Sequence, residues 1–319
     1  MQPLVTIIST NYNHGKFLRD TIESVRGQSY KNIQHIVVDG GSTDDSLVIL
    51  KNYPNITVIS KKDEGSYDAF CKGLALAKGD YVMQCAVTDG YLDMEWVKKC
   101  VEAMERDREV SLVWGLPRQM TESGTLKEIV YPQFHRYNPP RKPEFIYYWL
   151  NTFFWFPEGN FCVRKNVFQK CFRPYSRNEY FKDGVPQFDP WLEFNYHFHR
   201  QGYLPHFIRS IANFGRVHGG QKGQQEVSGG VSNVVYGSYI RLCRAFRKSI
   251  LASPSAYVYH GGDDTVLSYH FSVRKFRREQ LLSPRYIMSE IKHISRPHIK
   301  KIMRWAPVAR LVRHLKRYT

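Results

Sequence analysis

Asp39 closes the apolar run IVV and is followed by Gly40, Gly41 and Ser42, while Thr10, Tyr12 and Asn13 close the apolar run VTIIS. These residue types hydrogen-bond a nucleoside. A carboxylate accepts hydrogen bonds and repels phosphate, so Asp39 suits a nucleobase imide or a ribose hydroxyl. Gly40 and Gly41 permit close backbone approach, and Ser42 or Thr43 can cap a helix that Asp44 and Asp45 enter with favourable dipole sense. The plainer role for Asp39 is a turn cap.

Thr10, Tyr12, Asn13, Asp39 and Ser42 share one crevice if the two apolar runs are neighbouring parallel strands, because ligands of open parallel sheets bind beyond the carboxyl ends of the strands. VTIIS is a short β-branched run of the fully buried kind. Between it and IVV, Leu18, Ile22 and Val25 recur at helical spacing. The alternation continues with strands over 57–60, 81–85 and 111–115 and helices over 67–77 and 94–105, which predicts an α/β fold with a mainly parallel sheet. Residues 121–143 read as loop or edge strands, 157–167 as a return to strand, and 190–201 as a helix with proline in its first turn. No GxGxxG follows the first strand and no GxxxxGK[ST] is present, so a nucleotide would be held by carboxylates and a metal.

The net charge of the 319 residues is +17, and residues 236–319 hold 18 Lys or Arg against four acids. The basic surface is therefore C-terminal. Residues 219–233 read as a glycine-rich joint, and in 299–315 Ile299, Ile302, Met303, Trp305, Val308, Leu311, Val312 and Leu315 interleave with cations. That pattern suits an anionic membrane surface. No helix-turn-helix, zinc-finger or RRM pattern points to nucleic acid. The six cysteines show no metal spacing and read as small hydrophobes in a reducing compartment. The chain opens directly into a strand pattern, and its longest apolar stretch, 145–156, is too short to span a bilayer. A cytoplasmic protein, peripheral at the inner face of the plasma membrane, is expected.

TIISTNYN, ESVRGQSY, IVVDGGSTDDS, EGSYDAFCKGLALAKGDY and HGGQK, in that order, make the chain resemble the family 2 glycosyltransferases of GT-A fold. The bacterial branch that builds surface polysaccharides such as O-antigen and capsule is the most similar, over about residues 3–222. The resemblance implies a Rossmann-like, mainly parallel central sheet flanked by helices over 1–225, with a nucleotide-sugar half (1–115) and an acceptor half (116–225). A basic, mostly helical extension follows over 226–319.

By the same resemblance Thr10, Tyr12, Asn13 and Asp39 contact base and ribose, and Asp68 and Lys72 face the donor diphosphate, where a cation neutralises developing charge. Asp89 in VTDG matches the metal motif and would hold a Mg or Mn ion, with Thr88 standing where another acid is expected. His218 lies at the donor-site edge as a possible metal ligand, and Glu158 on the acceptor side. The base position falls on Gln187, which takes no proton. Asp189 follows two residues later, Asp183 lies nearby, and Glu193 shares a helix face with Asp189, so Asp189 or Glu193 is the expected base. The implied activity is inverting transfer of a sugar from a nucleotide-sugar to a saccharide or polyprenyl-linked acceptor. Thr88 and Gln187 also motivate an alternative, a sugar-nucleotide-binding or assembly protein impaired in catalysis. A nucleotidyltransferase would want a glycine-rich basic loop after the first strand, where only Lys16 stands.

Overall fold

A computed structural model describes residues 2–136, 138–174, 181–182, 185–186, 189–219 and 231–282. Every residue of β1 (Val5–Asn11) is buried, which explains its continuous apolar text. In α1 (Gly15–Arg26) the face made by Phe17, Leu18, Ile22 and Val25 is buried. Parallel pairing of β1 with β2 (Ile33–Asp39) sets Asn11 opposite Asp39. After α2 (Ser46–Leu50), β3 (Thr57–Ser60) extends this edge in parallel. α3 (Ser66–Ala75) crosses closely, since a Cβ on Gly73 would meet Ile8 Cγ2 at 2.6 Å. β4 (Tyr81–Gln84) then pairs parallel to the other side of β1.

The chain continues through β5 (Gly90–Tyr91), α4 (Trp96–Arg106), β6 (Val110–Thr121), β7 (Leu126–Ile129), α5 (Pro132–Arg136) and α6 (Phe145–Thr152). β8 (Cys162–Arg164), α7 (Lys165–Cys171), β9 (Phe181–Lys182), β10 (Val185–Pro186), α8 (Pro190–Arg200) and β11 (Leu204–Val217) follow. Last come α9 (Val231–Ala252), β12 (Tyr259–His260), β13 (Val266–Leu267) and α10 (Val273–Leu282).

The main sheet runs β3-β2-β1-β4-β8-β6-β11-β5, with β7 on β6. β8 is antiparallel to both β4 and β6, whereas β11 is parallel to β6. The entry to β8 therefore lies at the same sheet end as the exits of β1, β2, β4 and β11. All the candidate site residues on these elements gather there.

Three sequence expectations change. The strand expected over 111–115 runs on to Thr121, and the 121–143 stretch, which holds the strand β7 in keeping with the reading, also contains the helix α5. Within 157–167 only Cys162–Arg164 is strand, because Val167, Phe168 and Cys171 form a buried helical face on α7. After 226, where a mostly helical extension was expected, the described residues hold α9 and α10. A two-stranded sheet, β12 with β13, separates α9 from α10. Tyr239, Cys243, Ile250, Tyr259, Phe271 and Phe276 from this segment share one core with Trp114, Trp149 and Phe198. That core is rich in aromatic rings, and Trp114 packs between Phe134, Phe154 and Phe207 with centroids 4.6 to 5.4 Å away. Asp183, Gln187, residues 220–230 of the joint read over 219–233, and the cationic segment 299–315 lie outside the described residues, while 231–233 of that joint belong to α9.

Candidate active site

The strand ends at Asn11 and Asp39 are laced into one turn pair. Asp39 Oδ1 accepts from Asn11 Nδ2 (2.7 Å) and Ser42 Oγ (2.5 Å), and Oδ2 from the N–H groups of Gly41 and Ser42 and from Ser60 Oγ (2.9 Å). Burial works to raise this carboxyl, but the donors of Ser42, Asn11 and Ser60 together hold it below the usual range. Asp39 is fully buried, so its side chain organises the turn from beneath. Asn13 takes φ +53°, its N–H donates to Ser42 Oγ (2.8 Å), and its Oδ1 accepts from the Thr43 N–H (2.8 Å). Thr10 is buried and its carbonyl accepts from the Val87 N–H. Tyr12 stands at the lip, 58% exposed, with a ring face available for stacking.

At Gly40 the backbone comes so close to Asp63 that a Cβ would lie 2.6 Å from its Oδ2. Below this, Asp68 and Lys72 pair one turn apart on α3 at 2.8 Å, and Lys72 Nζ also donates to the Lys62 carbonyl (3.2 Å). Burial opposes ionisation of Asp68, and the Lys72 ammonium with the Glu64 N–H outweighs it, holding the carboxyl low.

The loop after β4 carries Thr88 at φ +110°, a conformation unfavourable for a β-branched residue. α1 anchors it: Thr21 Oγ1 donates to the Asp89 carbonyl (2.6 Å) and accepts from the Thr88 N–H (3.3 Å). Asp89 Oδ1 accepts from the Arg216 N–H (3.2 Å) and Thr88 Oγ1 (3.3 Å). Burial pushes the Asp89 carboxyl up to about 6 in spite of these donors. Gly159, at φ +77°, passes beside it, with a Cβ position 3.5 Å from Asp89 Oδ2.

Glu158 precedes that glycine. Asn160 pins the turn, its Nδ2 donating to the Gly115 carbonyl and to Asn213 Oδ1 (both 3.1 Å) while the Trp96 indole donates to its carbonyl (2.9 Å). Glu158 reaches solvent, yet protein surrounds its carboxyl closely enough that lost hydration pushes it up to about 8. The Asp189 and Asp89 carboxylates add like charge in the same direction. Burial, with Glu158 beside it, pushes the Tyr131 phenol up to about 12.

Asp189 is the N-cap of α8. Its Oδ1 accepts from the N–H groups of Trp191 (2.8 Å) and Leu192 (2.9 Å). Burial raises its pKa against those two donors, with Glu193 adding to the rise. Glu158 thus lies within electrostatic reach of both Asp89 and Asp189. His218 is buried with its ring centroid 5.0 Å from His14 and 5.4 Å from Phe17. Among the described residues no three side chains of His, Cys, Asp or Glu are grouped to hold a metal ion.

Sequence reasoning missed Arg216, which lies two residues before the quoted text HGGQK. Its contacts on Asp20, Thr88 and Glu122 lie 196, 128 and 94 residues away, beyond any local pattern. Asn160 was missed too, and its only signal was a polar residue between Gly159 and the apolar run that follows.

The model of the family described as "Glycosyl transferase family 2" matches residues 6–172. The chain belongs to this family. An uncharacterised glycosyltransferase of Mycobacterium tuberculosis is 37% identical over 116 residues, 35% of this chain and 44% of that protein. Chondroitin synthase of Escherichia coli is 30% identical over 128 residues, 39% of this chain and 18% of the synthase. The chain thus spans less than half the length of these relatives. The structure of S. aureus TarS residues 1–349 in complex with UDP-GlcNAc superposes with a TM-score of 0.52 at 14% identity, over 78% of this chain and 73% of TarS. That likeness is one of fold. The family 2 chain has the GT-A-like α/β architecture, a mostly parallel central sheet with flanking helices.

Proposed function

We propose that this chain is an inverting glycosyltransferase of surface polysaccharide synthesis, moving a sugar from a nucleotide-sugar to a saccharide or lipid-linked saccharide. One observation carries the reading. The turn pair around Asn11 and Asp39 and the three acids Asp89, Glu158 and Asp189 lie at one end of the sheet, with pKa values pushed apart: Asp39 down, the others up.

In this reading Tyr12 stacks on the base, Thr10, Asn13 and Ser42 shape the nucleoside pocket, and Asp39 holds that pocket in place. Lys72, oriented by Asp68, attracts the diphosphate. Asp189 takes the proton of the acceptor hydroxyl as that oxygen attacks the anomeric carbon, with Glu193 on the same helix face. The raised pKa of Asp189 makes it a stronger base once ionised. Glu158 and Tyr131 lie on the acceptor side. A single displacement with one base and no covalent nucleophile inverts the anomeric centre.

Asp89 fits a hard dication. Its carboxylate meets only neutral donors, on Oδ1, and among the described residues Oδ2 accepts no hydrogen bond. Gly159 leaves the approach to Oδ2 without a side chain. Asp89, with His218 at the donor edge, would hold Mg or Mn, which when bound neutralises the departing diphosphate.

The location proposed is the inner face of the plasma membrane, attached peripherally. α9 carries Arg241, Arg244, Arg247 and Lys248 and no acid, and Arg241, Arg244 and Lys248 are exposed beside an exposed Leu242. This suits anionic lipid headgroups. No described helix is long and apolar enough to cross a membrane.

The test is nucleotide release from UDP, GDP and dTDP sugars, with Mn and a polyprenyl-diphosphate-linked saccharide as acceptor. TarS in complex with UDP-GlcNAc makes the uridine diphosphate sugars the first probes. Acceptor-dependent release is expected, reduced about 100-fold or more in Asp89→Ala, roughly 2.7 kcal/mol of transition-state stabilisation. Calorimetric binding of a sugar nucleotide without release on any acceptor would mean the chain only binds.

A further inference from the structure

Arg216 is 4% exposed, yet its guanidinium has just one carboxylate partner among the described residues, Asp20 Oδ2 at 2.6 Å, and Asp20 is itself mostly exposed. Most of its bonding goes elsewhere. Nε donates to the Thr88 carbonyl (3.3 Å) and Nη1 to the Glu122 carbonyl (3.2 Å), while the plane lies over the Phe17 ring at 4.8 Å. The backbone N–H of the same residue donates to Asp89 Oδ1 at 3.2 Å. Arg216 therefore holds the two consecutive residues Thr88 and Asp89 with different parts of itself. Thr88 is the residue at φ +110°.

We propose that Arg216 is a positioning residue for sugar transfer: it clamps Thr88 in its left-handed conformation and so fixes where Asp89 presents its carboxylate. The assignment rests on the reading of Asp89 as the donor-diphosphate residue. A threonine released from this conformation relaxes to negative φ, which turns the Thr88–Asp89 peptide and carries the carboxylate with it. The planar fork of arginine reaches the Thr88 and Glu122 carbonyls at once. Lysine, a point charge on a flexible stem, can keep Asp20 but not both carbonyls. The ion pair with Asp20 is a surface contact on its acidic side and is not the source of the hold.

Two measurements on the full chain test this. One is hydrogen exchange over residues 85–92 with no ligand added, and the other is nucleotide release from the donor panel described above. Arg216→Lys is expected to speed exchange in this segment about tenfold or more. It should lower kcat about 100-fold while KM stays within about threefold. Adding Thr88→Gly to Arg216→Lys should recover roughly tenfold of both losses, because glycine takes φ +110° unaided. Asp20→Asn should change either measurement by no more than about twofold.

A general loss of packing would instead worsen on adding glycine, and that result overturns the proposal. So does parental exchange in Arg216→Lys, or faster exchange with an unchanged kcat. If the parent chain releases nucleotide from no donor, sugar transfer itself fails, while the exchange data still decide whether Arg216 clamps the loop.

Discussion

Asn11 and Asp39 are register partners on neighbouring parallel strands, and their side chains meet at 2.7 Å. The bond ties the exits of β1 and β2 together. Ser42 reinforces it by donating to Asp39 Oδ1 while accepting from Asn11 Nδ2 at 3.2 Å.

Asp39→Asn replaces an acceptor with a donor among five donors. A lost hydrogen bond to a buried charge is worth about 1.5–3 kcal/mol, so a destabilisation of about 3 kcal/mol is expected in urea unfolding at pH 7. The folded carboxyl is held below its unfolded value. Its stabilisation is therefore present above the ordinary aspartate range and is lost as pH falls through the folded pKa. The difference between parent and variant should shrink on acidification below about pH 4.

Asp189 caps α8 and is the proposed base, and substitution can separate the two. Asp189→Ala removes the cap of α8 and is expected to cost about 1 kcal/mol, whereas Asp189→Ser restores a capping oxygen and should stay within about 0.5 kcal/mol of the parent. Both should lower turnover about 100-fold, since neither alanine nor serine accepts the acceptor proton. Full turnover in the serine variant would transfer the base to Glu193.

Glu158 and Asp89 tie stability to pH in the opposite sense from Asp39. Both carboxyls are raised in the folded chain, to about 8 and about 6. The folded state therefore binds protons more tightly than the unfolded one, and the stabilisation is complete below the unfolded values near 4. It is lost as pH rises toward 6 for Asp89 and 8 for Glu158. The thermal midpoint in metal-free buffer should fall between pH 5 and 8, and Glu158→Gln should flatten that fall. A midpoint that rises with pH over this window in both proteins would contradict the placement of Glu158 beside Asp89 and Asp189.

Each cation at an anionic membrane surface contributes about 1 kcal/mol. Reversing charge in Arg241→Glu/Arg244→Glu/Lys248→Glu should lower co-sedimentation with phosphatidylglycerol vesicles at least about 100-fold and leave nucleotide release in solution unchanged. Equal binding of parent and variant would remove α9 from the membrane surface.

The donor half was legible because its chemistry is local. Thr10, Tyr12 and Asn13 stand at the end of one strand, Asp39 and Ser42 at the end of the next, and parallel pairing joins them with no further information. Asp189 was legible as a helix-start acid for the same reason. Glu158 was visible only as a possible acceptor contact, since its approach to Asp89 depends on β8 entering between β4 and β6 antiparallel to both. Arg216 was invisible because three chain-distant segments converge on it. The charge of α9 was plain in the sequence, but its buried face of Tyr239, Cys243 and Ile250 has a helical period that does not name its partner. That partner is the aromatic core shared with Trp149.

The reversed direction of β8 brings two kinds of chain to the candidate-site end of the sheet. The residues proposed to meet the nucleotide stand at the exits of their strands, so each is tethered to the sheet by the chain before it. Glu158 enters its strand, and is tethered by the chain after it. With Glu158 in the proposed acceptor role, exchanging the turn 157–160 would retune which hydroxyl compound is admitted without disturbing the turn pair around Asn11 and Asp39. Under the proposed roles, acceptor choice and donor choice are separately heritable in this architecture.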